Sequence, residues 1–356
     1  MADPFAQFAT RLAYGATQLP RVAWYLGQGM LVRQISRSAA QKAQHSNGRP
    51  MRADVLIPER RPIYDRIAAL LRDDLANVEA GIYPLPADHD GSLLNLLDRS
   101  RLFFTDLPKV YRRRQQRQRH EVRNDATIGK RPAYYLQNFH FQSGGWMTED
   151  SARRYDTQVE ILFKGTANAM RRQALPPLYE LFRARDQRSL RFLDVGCGTG
   201  RFLDFFKQSW PRMPALGLDL SEPYLAEARR HLGRWCWLDL IVANAETIPL
   251  SDASQDAVTC IFTFHELPPQ VRRAFFREFA RVLRPGGRFV LIDSLQLGDE
   301  PDYDGMLQSF PRNFHEPYYA SYLKEDFAAI AANCGLRHAG DTKAFVSKVL
   351  VFDKPR

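Results

Sequence analysis

Cysteine is scarce in this sequence, and long apolar runs are missing from it. The four cysteines, at positions 197, 236, 260 and 334 of 356, form no close pair and no zinc-finger spacing. This excludes a disulfide-rich secreted scaffold, and it predicts a reducing, cytoplasmic setting and no metal. No apolar run reaches the roughly 18 residues of a membrane span, and the first residues lack the layout of a secretory signal. We therefore expect a soluble protein, or one peripheral to a membrane.

Acidic residues are absent between positions 3 and 54, although basic residues alternate with groups of apolar residues there. These basic residues include Arg11, Arg21, Arg33, Arg37 and Lys42. Such a stretch can lie on an anionic membrane surface, and it also has the acid-poor, arginine-rich composition of an organelle transit peptide. A third interpretation, which we favour, is a helical arm packed on its own domain.

The basic excess lies mainly in the first 150 residues. They contain 22 Lys and Arg against 15 Asp and Glu, whereas residues 151–356 contain 28 against 25. A second basic run, 112–120, has no interleaved aromatic residues that would stack on bases. We therefore expect no nucleic-acid partner, and we predict a solvated helix end or loop at this run.

The chain is predicted to divide into a mainly helical, basic N-terminal region, 1–150, and a second domain, 151–356. Apolar spacing predicts helices at 63–81 and 93–107. Aromatic side chains crowd residues 133–146 around a Gly-Gly pair, too irregularly for one helix, which predicts a loop lying over a binding site. Thr148 is predicted to cap a helix that leads directly into the first strand of the second domain.

Residues 191–200 are the most informative segment, because they read as a strand followed by a glycine turn. Gly196, Gly198 and Gly200 alternate in a G-x-G-x-G order. A dinucleotide site has G-x-G-x-x-G instead, with a pyrophosphate on the helix N-terminus. Asp194, at the end of the strand, would repel a pyrophosphate and attract a cationic ligand.

A second acid completes this constellation. Asp219 ends the apolar run 215–218, where a carboxylate can bond both ribose hydroxyls. S-adenosylmethionine carries a ribose, an ammonium and a sulfonium, so the two acids and the loop predict this ligand rather than NAD. Cys197 is interpreted as a small filler beside the ligand rather than a reactive thiol. Asp256 is interpreted as a structural residue at the start of a strand.

Over residues 155–356 the chain resembles the class I S-adenosylmethionine-dependent methyltransferases, most closely the ubiquinone/menaquinone C-methyltransferase type. Five segments carry the resemblance: Asp194–Gly200, Gly217–Ser221, Asn244–Pro249, Asp256–Phe264 and Arg281–Gly287. Asn244 stands where an acid is usual, but its carbonyl oxygen can still accept a hydrogen bond from adenine. The resemblance implies a set of residues that bind S-adenosylmethionine. They are Asp194, Gly196, Cys197, Gly198, Gly200, Asp219, Leu220, Asn244, Ala245, Glu246 and Phe262.

Strands and helices alternate from residue 191 onward, which predicts an α/β domain with a parallel sheet. A helix is predicted near 320–333, and the last two strands are joined too tightly for a crossover. The fold expected is therefore a Rossmann-like, mostly parallel seven-stranded sheet with a C-terminal antiparallel hairpin, behind a mainly helical N-terminal region. The predicted strands are 191–195, 215–219, 239–243, 257–263, 288–294, 336–345 and 347–353.

Three segments reach the carboxyl ends of the strands, where ligands of open α/β sheets bind: 262–266, 293–296 and 310–319. They contain two histidines as predicted proton acceptors, two glutamates that would orient them, and two tyrosines that would line the acceptor pocket. The alternative is that each His-Glu pair is structural. The candidates are His265, His315, Glu266, Glu316, Tyr318 and Tyr319.

Methyl transfer from a sulfonium mainly requires alignment of donor and nucleophile and the exclusion of water, so a general base is not obligatory. We expect a methyltransferase for a small, apolar or aromatic acceptor, methylated at carbon, oxygen or sulfur, with residues 1–150 as a cover of the acceptor site. Two alternatives stay open: an RNA or protein methyltransferase that uses the basic N-terminal region, and a non-catalytic membrane-surface or interaction protein. Oligomeric state is left open.

Overall fold

A seven-stranded sheet organises the C-terminal half of the chain in this computed structural model, which describes residues 4–47, 60–88 and 90–356. The strands are β1 (Phe192–Val195), β2 (Ala215–Asp219), β3 (Leu238–Val242), β4 (Gln255–Ile261), β5 (Leu283–Ser294), β6 (Arg337–Ala344) and β7 (Ser347–Asp353). Their order is β3-β2-β1-β4-β5-β7-β6. The first five are parallel, and β7 lies antiparallel between β5 and β6. The predicted fold, including the terminal hairpin, is confirmed.

Helices precede the sheet and flank it. Short 3-10 helices occur at Phe139–Phe141, Gln187–Ser189 and Phe264–Glu266. The α-helices are α1 (Pro4–Asn47), α2 (Arg60–Glu79), α3 (Leu93–Gln116), α4 (Glu149–Leu162), α5 (Ala167–Arg172), α6 (Leu175–Phe182), α7 (Arg201–Ser209), α8 (Glu222–Leu232), α9 (Pro269–Val282), α10 (Pro301–Phe314), α11 (Tyr319–Tyr322) and α12 (Phe327–Asn333).

Apolar side chains cover both faces of the sheet. Because successive residues of a strand point to opposite faces, Phe192 packs with Phe206 in one cluster, whereas Leu193 packs in another with Phe276. All four residues are fully buried. Burial of each such side chain contributes roughly 1.5–3 kcal/mol, so the sheet is a rigid support for the loops at its carboxyl edge.

Helix α1 packs one side against the rest of the chain. Tyr14 and Tyr25 are buried, and Arg21 pairs with Glu160 of α4 at 2.6 Å. The interpretation as a packed arm is therefore confirmed, while contact of its exposed side with a membrane stays a prediction. The side chains of Arg37 and Lys42 lie outside the described residues. Within the described residues, no helix combines the length and apolarity that a membrane span requires.

The N-terminal region departs from prediction in two places. Thr148 caps α4 as expected, but α5 and α6 lie between α4 and β1, so α4 does not lead directly into the sheet. Helix α3 is longer than predicted and takes in the start of the basic run. Arg113 in this run is buried, pairs with Glu121 and donates to Ser143 Oγ at 2.8 Å. Arg112 and residues 115–120 are exposed, so the predicted solvated helix end is otherwise confirmed.

The predicted helix near 320–333 is two shorter helices, α11 and α12. The side chain of Asp326 starts the second of them by accepting a hydrogen bond from the backbone N–H of Ala329. Between the two predicted domains, the fully buried Arg172 of α5 pairs with Asp74 of α2 at 2.6 Å. The division of the chain at residue 150 stays a prediction.

Candidate active site

The glycine loop after β1 requires glycine at two positions. Gly196, Gly198 and Gly200 all adopt a positive φ, of 69°, 54° and 78°. A Cβ on Gly196 would lie 2.5 Å from Thr263 Oγ1, and one on Gly200 would lie 2.5 Å from Leu232 Cδ1. No side chain fits at either place without displacing its neighbours. Gly198 instead faces a pocket, which its backbone helps to line.

Asp219, at the carboxyl end of β2, holds this loop. Its Oδ2 accepts a hydrogen bond from the Gly198 N–H and its Oδ1 accepts one from the Ser221 N–H, both at 2.8 Å. Burial raises the pKa of Asp219, although these backbone donors oppose the shift. Asp219 and Leu220 both line the pocket, and a carboxylate has about four acceptor sites, more than these backbone donors fill. The carboxylate is thus placed to accept two hydroxyl groups of a ligand.

Asp194 is placed differently from Asp219. It is 2% exposed, it does not line the pocket, and its Oδ1 accepts a hydrogen bond from Thr259 Oγ1 at 2.6 Å. Burial raises its pKa to about 7, with Asp219 adding to the shift and the Thr259 hydroxyl opposing it. Asp194 is therefore separated from the pocket by the glycine loop. Its attraction for the amino group of the ligand stays a prediction.

The predicted adenine segment forms another wall of the same pocket. Asn244, Ala245 and Phe262 line it. Glu246 does not line the pocket. Its Oε1 accepts hydrogen bonds from Tyr134 Oη at 2.8 Å and from Asn244 Nδ2 at 3.1 Å. Glu246 thus connects the adenine segment to residues 133–146.

Cys197 and Gly200 also lie behind the pocket wall. Cys197 is buried, and burial raises the pKa of its thiol well above the ordinary value. A buried thiol that stays protonated is unreactive. This agrees with the interpretation of Cys197 as a filler. Asp256 pairs with Arg185 and Arg284 and accepts from the Arg191 N–H, which agrees with its structural interpretation.

Residues 133–146 form an aromatic cover over the pocket, and we use this name for them below. Tyr134, Tyr135, Phe139 and Trp146 line the pocket, which encloses about 810 Å³ with its open mouth included. Two bonds fix the end of the cover: Trp146 Nε1 donates to Glu266 Oε2 at 3.0 Å, and Ser221 Oγ donates to the Trp146 carbonyl at 2.5 Å. The predicted irregular loop is confirmed, and its aromatic rings form part of the pocket wall.

His265 pairs with a partner that sequence reasoning did not assign to it. Its Nδ1 lies 2.7 Å from Asp293 Oδ1, at the end of β5, whereas Glu266 is 3.9 Å from its Nε2. Burial would lower the pKa of His265, but the Asp293 carboxylate outweighs it and raises the pKa to about 10. At neutral pH the ring is already protonated, so in this arrangement it donates a hydrogen bond rather than accepts a proton.

His315 and Glu316 do not form the predicted pair. His315 follows the end of α10, and its Nε2 lies 2.9 Å from Gln137 Oε1 in the aromatic cover. Burial, with Arg119 and His120, lowers its pKa to about 4. Glu316 Oε1 lies 3.0 Å from His140 Nε2 instead. The expectation that Glu316 orients His315 is therefore wrong, because the intervening backbone turns the two side chains toward different partners.

The predicted tyrosines brace the cover and α11 rather than line the pocket. Tyr318 Oη accepts from Gln137 Nε2 at 3.0 Å, and Tyr319 Oη lies 2.6 Å from Ser294 Oγ. Sequence reasoning missed His140 as a partner of Glu316 and Asp293 as a partner of His265.

A second cavity lies on the other side of His140, between α1, α3, α4 and the end of α10. It encloses about 1230 Å³ with its mouth included. Apolar and aromatic side chains form much of its wall, together with four basic residues and Asp106. The wall includes Tyr25, Leu26, Val32, Phe103, Leu107, Val110, Tyr111, Ile161, Leu162 and Phe314.

Three curated relatives of this chain are methyltransferases by name. Malonyl-(acyl-carrier protein) O-methyltransferase of Xylella fastidiosa (strain M23) is 40% identical over 27% of this chain and 32% of that protein. The ubiquinone/menaquinone biosynthesis C-methyltransferase UbiE of Methylobacterium nodulans is 32% identical over 45% and 62%. Demethylmenaquinone methyltransferase of Thermotoga maritima is 29% identical over 50% and 72%. The chain thus covers less than two thirds of the first two relatives.

A family profile described as a methyltransferase domain matches residues 192–287, which contain the glycine loop, Asp219 and the adenine segment. The profile and the relatives together place residues 192–287 in the class I S-adenosylmethionine-dependent methyltransferase superfamily. The matched segment of this methyltransferase domain begins at β1 and ends inside β5. The aromatic cover and the helices around the second cavity lie outside it.

Proposed function

We propose that the protein transfers the methyl group of S-adenosylmethionine to a small acceptor with an apolar or aromatic body. The observation that carries this proposal is the pair of Asp219 hydrogen bonds to the Gly198 and Ser221 N–H groups. They aim a carboxylate into the pocket where the ribose of the donor would lie. The aromatic cover over the same pocket supports the exclusion of water from the reaction.

The second cavity is proposed to hold the body of the acceptor. His140 lines this cavity, and Trp146, whose ring centroid is 6.0 Å from that of His140, lines the donor pocket. The donor pocket and the second cavity are therefore separated by the rings of His140 and Trp146. An acceptor in the second cavity is close to the donor pocket without occupying it, as transfer between two bound molecules requires.

Basic residues on the cavity wall favour an acceptor with an acidic group. Arg33, Arg114, Arg154 and Lys164 line the cavity, against one carboxylate, Asp106. Arg154 lies 3.6 Å from Asp106, and among the described residues the other three form no ion pair with a carboxylate. Burial, and then Arg33, lower the pKa of Lys164. An anionic group would relieve this repulsion.

The relatives supply the first acceptors to test. Their names specify demethylmenaquinone and malonyl-(acyl-carrier protein), one with an aromatic body and one with a free acid. The experiment incubates the protein with labelled-methyl S-adenosylmethionine and each acceptor, then with fractionated lipid, quinone and small-thiol pools, and detects the product by mass. Donor binding without methyl transfer to any fraction would contradict the proposed activity. Salt-sensitive RNA retention with methylation of that RNA would favour the RNA alternative.

A variant of α1 tests the second cavity. Gly29 lines the cavity, and its nearest neighbour to an added Cβ is the Ile161 carbonyl at 3.8 Å, so Gly29→Phe places a ring in the cavity. We expect kcat/KM for the acceptor to fall by at least about tenfold, with the Kd of the donor within about twofold. Gly27→Phe, on the exposed side of the same helix, is the matched control. An equal effect of both variants would contradict the assignment of the cavity.

A further inference from the structure

Three side chains from distant parts of the chain meet between the two cavities. They are His140 from the aromatic cover, Glu266 from the 3-10 helix after β4, and Glu316 from the turn after α10. One nitrogen or oxygen from each lies within 4.8 Å of the others, and His140 Nε2 is 3.0 Å from Glu316 Oε1. All three atoms are of kinds that ligate metal ions.

Glu316 is a buried acid that lies against His140. Its side chain is fully buried, and neither oxygen has a hydrogen bond within the described part of the chain. The short distance to His140 lacks the direction of a hydrogen bond. An ionised carboxylate in such a place costs several kcal/mol, by the usual estimates, unless a positive charge compensates it. Without such a charge the carboxyl group stays protonated.

The neighbouring charges do not supply that cation. Glu266 is hydrogen-bonded by the neutral Trp146 indole, and its nearest ion-pair contact is His265 at 3.9 Å. His265 is already paired with Asp293 at 2.7 Å. Among the described residues, no Lys or Arg forms an ion pair with Glu266, Glu316 or Asp293. With its carboxyl groups ionised, the cluster therefore carries more negative than positive charge.

We propose that His140, Glu266 and Glu316 bind a divalent transition-metal ion. Metal bonds of about 2.1 Å at right angles place neighbouring ligand atoms about 3.0 Å apart, which is the distance between His140 Nε2 and Glu316 Oε1. One imidazole with two carboxylates suits Mn²⁺, Fe²⁺ or Zn²⁺ better than a purely oxygen-ligated ion. The Trp146 indole orients Glu266 from outside the ligand set.

The position of the site gives the ion a role that depends on the proposed function. Glu266 lines the donor pocket and His140 lines the second cavity. Three protein ligands leave coordination positions for another molecule. An acceptor oxygen that takes such a position would be held beside the methyl donor, so the inferred acceptor class is a compound with a metal-binding oxygen, such as an enol, a phenol or a carboxylate.

The test uses the full chain after treatment with a chelator and gel filtration. MnCl₂ or ZnCl₂ is then added, and bound metal is measured by elemental analysis, by the Mn²⁺ electron paramagnetic resonance signal and by the thermal midpoint. We expect one equivalent of metal and a higher midpoint. Glu316→Gln and His140→Asn should each weaken binding by at least about tenfold. His231→Asn is the matched control, because His231 also lies 3.0 Å from a glutamate, Glu227, on the distant helix α8.

Two results would overturn the metal site. One is a wild-type protein that retains less than about a tenth of an equivalent at metal concentrations that saturate ordinary three-ligand sites. The other is unchanged binding in both Glu316→Gln and His140→Asn while His231→Asn binds equally. Donor binding and methyl transfer are measured in parallel in chelator, so a failure of the metal site is distinguished from a failure of the methyltransferase assignment.

Discussion

Replacing Asp219 by Asn tests the proposed donor site with a change of very few atoms. The carboxylate accepts hydrogen bonds of 2.8 Å from two backbone N–H groups, those of Gly198 and Ser221. An amide can accept only one of them, because its NH₂ group is a donor that would face the other donor. The variant therefore loses a negative charge in the pocket and one of the two bonds that hold the glycine loop.

The expected change in donor affinity follows from the hydrogen bonds between the Asp219 carboxylate and the ribose. In the proposed complex the carboxylate accepts both ribose hydroxyls, and each hydrogen bond to a charged group contributes about 1.5–3 kcal/mol. The amide oxygen of the variant still accepts one of them, so the loss of the other amounts to roughly 1.5–3 kcal/mol, or a Kd for S-adenosylmethionine that is weaker by about 10- to 100-fold. Burial raises the pKa of Asp219, so removal of this charge does not itself disfavour the folded protein.

Isothermal titration calorimetry with S-adenosylmethionine and S-adenosylhomocysteine measures this change. Asp239→Asn is the control, since Asp239 is an exposed acid on the neighbouring strand β3 and does not line the pocket. The far-ultraviolet circular dichroism of both variants should match that of the wild type. A folded Asp219→Asn variant with a Kd within about threefold of the wild type would refute the assignment of Asp219.

Two further predictions concern a buried ion pair and the pH dependence of donor binding. Arg172→Met leaves Asp74 buried without its guanidinium, so the free energy of unfolding in urea should fall by roughly 3–5 kcal/mol. Replacement of the half-exposed Arg185 by Met should cost less than about 1 kcal/mol, because its partner Asp256 keeps its ion pair with Arg284, and equal losses would contradict the argument. Because only ionised Asp194 attracts an ammonium and burial raises its pKa to about 7, donor affinity should increase with pH. Calorimetry should show a gain of roughly eightfold between about pH 6 and 7.5, and Asp194→Asn should abolish the gain if the carboxylate has its predicted role.

The sequence alone predicted the features that depend on neighbours along the chain. Strand, glycine turn and helix follow one another at 192–209, and the positive φ angles of the loop are properties of single residues. The terminal hairpin followed from a connection too short for a crossover. Asp219 could be placed because a strand end and a glycine loop are both visible in sequence, and the sheet brings them together at one edge.

The tertiary structure decided which distant side chains meet. His265 and Glu266 are adjacent in sequence, as are His315 and Glu316, yet in the structure His265 bonds Asp293 and Glu316 lies against His140. Adjacency predicted the wrong partners because neighbouring side chains leave the backbone in different directions, and packing of the aromatic cover then selects what each one contacts. The second cavity is likewise formed by helices from separate parts of the chain. Local sequence determines local conformation, whereas the whole fold determines which groups contact a buried charge.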